Sequence, residues 1–193
     1  MSSVRQAMAT VVVLGALILT ACASTSTKIM GTWKDDHYIK KITKVLVVSL
    51  AEEPPIRREA EGIVVAKLRQ RGIDAVASSD LMPMDQKIDR ETVKAAITGK
   101  GFDSVLVTRL LGVDLNTGYV PPDPTIYNFT LSVEPGYTAH RPVVSIQINL
   151  YDTAQEQLVW SMTTQSTNYD TVADVIRSYS SILVKNLAKH GLI

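Results

Sequence analysis

Lys44-Val45-Leu46-Val47-Val48 is the stretch on which the fold of this chain turns. Four successive aliphatic residues leave no polar side for solvent, which is the pattern of a strand covered on both faces. Glu53-Pro54-Pro55 ends the run. Proline lacks a backbone N–H and suits the first turn of a helix, where that donor has no partner anyway. From Ile56 to Arg71, the residues Ile56, Ala60, Ile63, Val64 and Leu68 recur on one stripe at helical spacing. Gly72 follows as a helix stop, and Ile73 to Ala77 gives a second short strand. Strand, helix and strand make a β-α-β unit, whose crossover is expected to be right-handed.

Downstream, a loop with Pro83 leads to Asp89, a side chain suited to cap a helix over Arg90 to Lys100. Val93, Ala96 and Ile97 face inward, and Gly99 and Gly101 stop the helix before the strand Phe102 to Val107. Those glycines are no phosphate loop, because a phosphate needs the free N–H groups at the start of a helix. Gly112 to Pro124 reads as a long turn region. Beyond it Tyr127, Phe129, Leu131 and Val133 alternate with polar residues, as do Val144, Ile146, Ile148 and Leu150, then Leu158, Trp160 and Met162. Period-two alternation marks antiparallel strands with one buried and one solvated face. Asp170 is placed to cap a last helix, whose stripe is Val172, Val175, Ile176, Tyr179, Ile182, Leu183 and Leu187. The expected fold class is α/β (α+β): a mixed sheet, β-α-β-α-β, then an antiparallel meander and a C-terminal helix packed on the sheet.

Upstream, Ala7 to Leu19 is apolar but for Thr10 and Gly15, with Arg5 before it. A stable bilayer-crossing helix needs roughly 18 or more apolar residues, and this run is shorter. A basic start, a compact apolar middle and small residues at the end describe an export signal. It closes on Leu19-Thr20-Ala21-Cys22, which contains the only cysteine of the chain. Leu-x-x-Cys with small residues between resembles the lipobox of bacterial lipoproteins. The resemblance implies cleavage before Cys22, which then carries a diacylglyceryl thioether and usually an acylated amine. Ala23 in place of Asp implies, by the sorting rule of enterobacterial lipoproteins, the outer membrane, with the domain facing the periplasm. The expected organisation is a signal peptide at 1–21, a lipidated N-terminus with a tether and entry segment at 22–40, of which Ala23 to Thr27 is a short flexible leash, and a single domain at 41–193.

Without Arg5 the chain carries nineteen residues of each charge. A balanced chain has no basic face for nucleic acid, so that partner is excluded. A lone cysteine forms no internal disulfide, and stability must come from the core.

The lipobox, Lys44 to Val48, Gly101-Phe102-Asp103-Ser104-Val105-Leu106-Val107, and Leu150-Tyr151-Asp152 with Leu158-Val159-Trp160-Ser161 together resemble an uncharacterised family of Gram-negative lipoproteins built on one domain of unknown function. The element order is similar, at the level of fold, to periplasmic domains of the curli-secretion lipoprotein, the Tol translocation protein and the lipoprotein activators of penicillin-binding proteins. A fold-level likeness assigns no function. The family pattern often has Thr-Gly in the last hairpin turn, where this chain has Ala154-Gln155-Glu156-Gln157.

No reaction is legible. There is no G-x-S-x-G elbow, and His37, His140 and His190 share no metal-ligand spacing. Asp35, Asp36 and His37 are adjacent on a lead-in segment and point in different directions. Arg57, Arg58, Glu59 and Glu61 read as a solvated helix face with local ion pairs. The sequence implies no catalytic residue, cofactor or metal. Tyr119 and Tyr137, beside prolines and glycines in the irregular 112–142 region, are the candidate surface for an envelope protein partner. The expected function is therefore that of a non-enzymatic, membrane-anchored envelope lipoprotein presenting a partner-binding or assembly-stabilising surface. The alternative is an enzyme or small-ligand binder acting on envelope lipid or glycan. What separates the two is a concave pocket with converging ionisable groups.

Overall fold

A computed structural model describes residues 25–114 and 142–193. Its strands are β1 (Ser26–Lys34), β2 (Lys44–Ser49), β3 (Asp74–Ala77), β4 (Ser104–Asp114), β5 (Val143–Asp152) and β6 (Gln157–Thr167). The helices are α1 (Pro54–Arg69), α2 (Arg90–Ile97) and α3 (Val172–Lys189). The strands form one mixed sheet in the order β1-β6-β5-β4-β2-β3. β2 lies parallel to both β3 and β4, and the pairs β4–β5, β5–β6 and β1–β6 are antiparallel. The fold class is mixed α/β, with the C-terminal helix packed on the sheet.

The continuous run in β2 is buried on both sides, and alternate residues serve different layers. Val45 and Val47 join Ala60, Val64 and Leu68 of α1 and Val175, Ile176, Tyr179, Leu183 and Leu187 of α3 in the main core. Leu106, Ile148, Leu150, Trp160 and Met162 carry that core across the sheet. Leu46 and Val48 point the other way, where Val105 and the partly buried Val93, Ile97, Ile88 and Phe102 form a smaller layer under α2. The sheet is thus covered by two helices on one face and by one short helix on part of the other. Across the meander the second face stays polar. Ser161 donates to Asn149 at 2.7 Å, and Arg109 donates to Gln147 at 3.0 Å.

Local signals set the helix ends. Gly72 follows α1 at φ +82°, a conformation glycine adopts without steric cost. Asp89 accepts from the Thr92 N–H at 3.0 Å while the Asp89 N–H donates to Thr92 Oγ1 at 3.0 Å, a reciprocal capping box that starts α2. α3 starts one residue later than the sequence suggests. Thr171, not Asp170, is its cap, pairing reciprocally with Asp174.

Three further expectations change. Ser26–Lys34 is a strand of the sheet, where a leash ending at Thr27 and a solvated entry segment are expected. Its register against β6 pairs the backbone groups along one side, and a bulge between Ile29 and Gly31 interrupts it. Gly112 belongs to β4 and not to a turn, because a bulge between Leu110 and Gly112 carries the ladder on to Asp114. Arg57 and Glu61 are buried, whereas their neighbours Arg58 and Glu59 are exposed as expected. The strand expected at 127–133 lies outside the described residues.

Candidate functional site

α2, the start of β4 and the β5–β6 turn enclose a cleft of about 670 Å³. Its floor is the second face of the sheet, with Val48, Val105 and Val107, and Val93 and Ile97 of α2 form one wall. Phe102 and Tyr151 also line it. A drug-sized ligand site usually spans about 300–1,000 Å³ and combines an apolar lining with a few placed polar groups.

The polar groups sit at the rim. Arg90 and Lys94 are one helical turn apart on α2 and therefore share a face. Both reach Glu156. Lys94 Nζ is 2.5 Å from Oε1, and an Arg90 guanidinium nitrogen bonds Oε2. Glu156 occupies the hairpin turn at φ +55°, in the left-handed region. The hydrogen bond from Lys94, followed by that from Arg90, holds the Glu156 carboxyl below its ordinary value, and Glu156 in turn raises Arg90. All three side chains are substantially exposed, so the bridge adds little to stability. What it does is gather two cations around one carboxylate beside an apolar space.

Asp152 builds the turn that presents Glu156. It is 2% exposed. Its Oδ1 accepts from the N–H groups of Ala154 and Gln155 at 2.9 and 2.8 Å, and its Oδ2 accepts from Lys40 at 2.9 Å. Thr153 ties the turn to the start of β4 by donating to the Phe102 carbonyl at 2.8 Å. Burial opposes ionisation of Asp152, but the bonds from Lys40 and the two N–H groups outweigh it, and the net shift is downward from 3.8. A carboxyl with a depressed folded value stabilises the fold above its unfolded value and loses that contribution as pH falls through the folded value. Stability of the wild type should therefore fall as acid is added below about pH 4. Asp152→Asn should flatten part of that slope while lowering stability at pH 7. Urea midpoints measured from pH 2.5 to 7 check this, and parallel curves would show that Asp152 carries no acid sensitivity.

A second polar cluster lies in the main core. Glu61 is 0% exposed and Arg57 is 3% exposed. Glu61 Oε1 accepts from the Ser49 N–H at 3.0 Å, Arg57 Nε at 3.2 Å and Ser78 Oγ at 2.5 Å, and Oε2 accepts from the Ser79 N–H at 2.8 Å. Arg57 also donates to Ser78 Oγ at 2.9 Å. Apart from the Arg57–Glu61 bond within α1, these bonds join α1 to the end of β2 and to the turn after β3, and none of these residues lines the cleft under α2. Its geometry is that of a structural clasp.

Cys22, Tyr119, Tyr137 and His140 lie outside the described residues. His37 is exposed, 3.5 Å from Asp35. His190 stands edge-on to Trp160 at 6.5 Å between ring centres, and burial, then Lys189 and Lys34, lower its pKa. Among the described residues no group of three or more His, Cys, Asp or Glu is placed to hold a metal ion, and no helix is long and apolar enough to cross a membrane. Sequence reasoning missed Arg90, Lys94 and Glu156. The spacing of Arg90 and Lys94 on one helix face was a visible signal, but their meeting with a turn residue more than sixty positions away was not.

No protein-family model and no curated protein matches this sequence. Among solved structures, a PelC dodecamer from Paraburkholderia phytofirmans is 18% identical, with a TM-score of 0.47, over 85% of this chain and 95% of that one. A point variant of the same dodecamer is 18% identical, with a TM-score of 0.48, over 88% of this chain and 99% of that one. A PDZ domain protein from Parabacteroides distasonis is 12% identical, with a TM-score of 0.49, over 89% of this chain and 38% of that one.

Proposed function

We propose that this chain is a lipid-anchored, non-enzymatic protein of the bacterial outer membrane whose periplasmic domain binds a small ligand in the cleft between α2 and the sheet. The cleft carries this reading. It joins an apolar floor to converging charged groups, and it departs from the partner-surface reading that the sequence favours.

The anchor supports an orientation. Cys22 precedes Ser26, the first residue of β1, by four positions, so even a fully extended connection spans about 14 Å. Ser26 pairs with Thr167 at one end of the sheet. The β5–β6 turn with Glu156 lies beyond the other end of β6, roughly 35 Å away for a strand of this length. An anchor at Cys22 thus holds the Ser26 end against the bilayer and turns the cleft rim toward the aqueous side.

The test uses a photoreactive alkyl diazirine with an uncharged methyl ester head, added to the full chain in phosphatidylcholine vesicles. Tryptic peptide 101–109, which contains Phe102, Val105 and Val107, should be labelled. Val93→Trp, which fills the cleft from the helix side, should remove that label while circular dichroism stays unchanged. Labelling that avoids 101–109, or that survives Val93→Trp, overturns the reading.

A second reading keeps the partner surface. The ends of the 115–141 connection, Asp114 and Val143, pair with each other at the same end of the sheet as Ser26. Crosslinkers placed at Tyr119 and Tyr137 in intact cells should capture a protein, and capture of lipid alone sinks this reading.

A further inference from the structure

We infer that the cleft takes a single-chain anionic amphiphile, a fatty-acid-like molecule whose carboxylate replaces that of Glu156 between Arg90 and Lys94. This rests on the ligand-binding reading above and adds the chemistry of the ligand.

The rim identifies the head group. Of its acidic residues, Asp89 is committed to the capping box with Thr92, and Asp152 to Lys40 and the turn N–H groups. Arg90 and Lys94 share the remaining carboxylate, that of Glu156, with one oxygen bonded to each cation. That arrangement shows that a planar carboxylate spans the two cations. Glu156 is thus the protein's own stand-in for a ligand head. It sits on a turn at the surface, so it can leave the cations to solvent without opening the core. A charged ligand group at the same place gains paired, charge-assisted hydrogen bonds.

The floor identifies the tail. Val48, Val105, Val107, Val93 and Ile97 offer an apolar lining with no charge among them. An alkyl chain laid there leaves water at about 0.8 kcal/mol per buried methylene. A hydroxyl-rich ligand laid on these five residues would lose hydrogen bonds to water without replacement from them.

The experiment compares the diazirine fatty acid with its methyl ester on the full chain in phosphatidylcholine vesicles, reading label on peptide 101–109. The acid should label about tenfold more than the ester. Joint charge reversal, Arg90→Glu with Lys94→Glu, should bring the acid down to the ester's level. Glu156→Gln, which removes the competing carboxylate, should raise labelling by the acid alone. Equal labelling by acid and ester in the wild type, or labelling by the acid that survives the charge reversal, overturns the anionic ligand while the ligand-binding reading stands. If neither probe labels 101–109, the ligand-binding reading itself fails.

Discussion

Glu61→Ala is expected to destabilise the fold by about 3–5 kcal/mol, the usual consequence of removing one partner from a buried ion pair. The carboxylate accepts four hydrogen bonds, and without it Arg57 is left charged and buried while the Ser49 and Ser79 N–H groups lose their acceptor. For a domain of this size the thermal midpoint should fall by roughly 10 °C or more. Glu61→Gln should fall between, because it keeps one acceptor oxygen and loses the charge. The double change Arg57→Met with Glu61→Leu should recover much of the loss, since apolar residues of similar volume often replace a buried pair at little cost. Urea titration of the wild type and the three variants measures these steps. If Glu61→Ala unfolds within about 0.5 kcal/mol of the wild type, a surface-like effect, the clasp is not holding β2 and β3 to α1.

The other large effect is on location. Cys22→Ser should leave an unprocessed, unlipidated precursor, because serine offers no thiolate for the thioether. Two or more acyl chains anchor a protein stably where one gives only marginal binding, and each buried methylene contributes about 0.8 kcal/mol. Mature protein carrying the proposed anchor should therefore remain with the outer membrane through a high-salt wash, and Cys22→Ser should yield none of it. Fractionation followed by mass spectrometry of the N-terminus reads both. A Cys22→Ser protein that is still cut at residue 22 and still sediments with the outer membrane would falsify the anchor, and with it the orientation of the cleft.

Cys22 and Glu61 differ in what makes them visible. Cys22 stands out in the sequence because a lone cysteine ends an apolar run, and no tertiary contact is needed to notice it. Glu61 was hidden. A charged residue four positions after an arginine reads as a solvated pair, and only the packing of α1 against the ends of β2 and β3 shows both in the core. β1 escaped notice for a related reason. Its residues are mostly exposed and lack strict alternation, and its strand character comes from pairing with β6, which begins more than 120 residues later.

Sequence alone determined the mixed α/β class, the β-α-β start, the caps at Asp89 and Gly72 and the C-terminal helix. Each of these rests on neighbours within a few turns of chain, where periodicity and backbone chemistry act directly. Tertiary structure decided the edge strand, the buried Arg57–Glu61 clasp and the cleft under Arg90, Lys94 and Glu156. Those depend on which distant segments the sheet brings together. The continuous run Val45 to Val48 shows both sides of this: its composition demands cover on both faces, but only the assembled fold makes one cover a pair of helices and the other a short helix over a cavity.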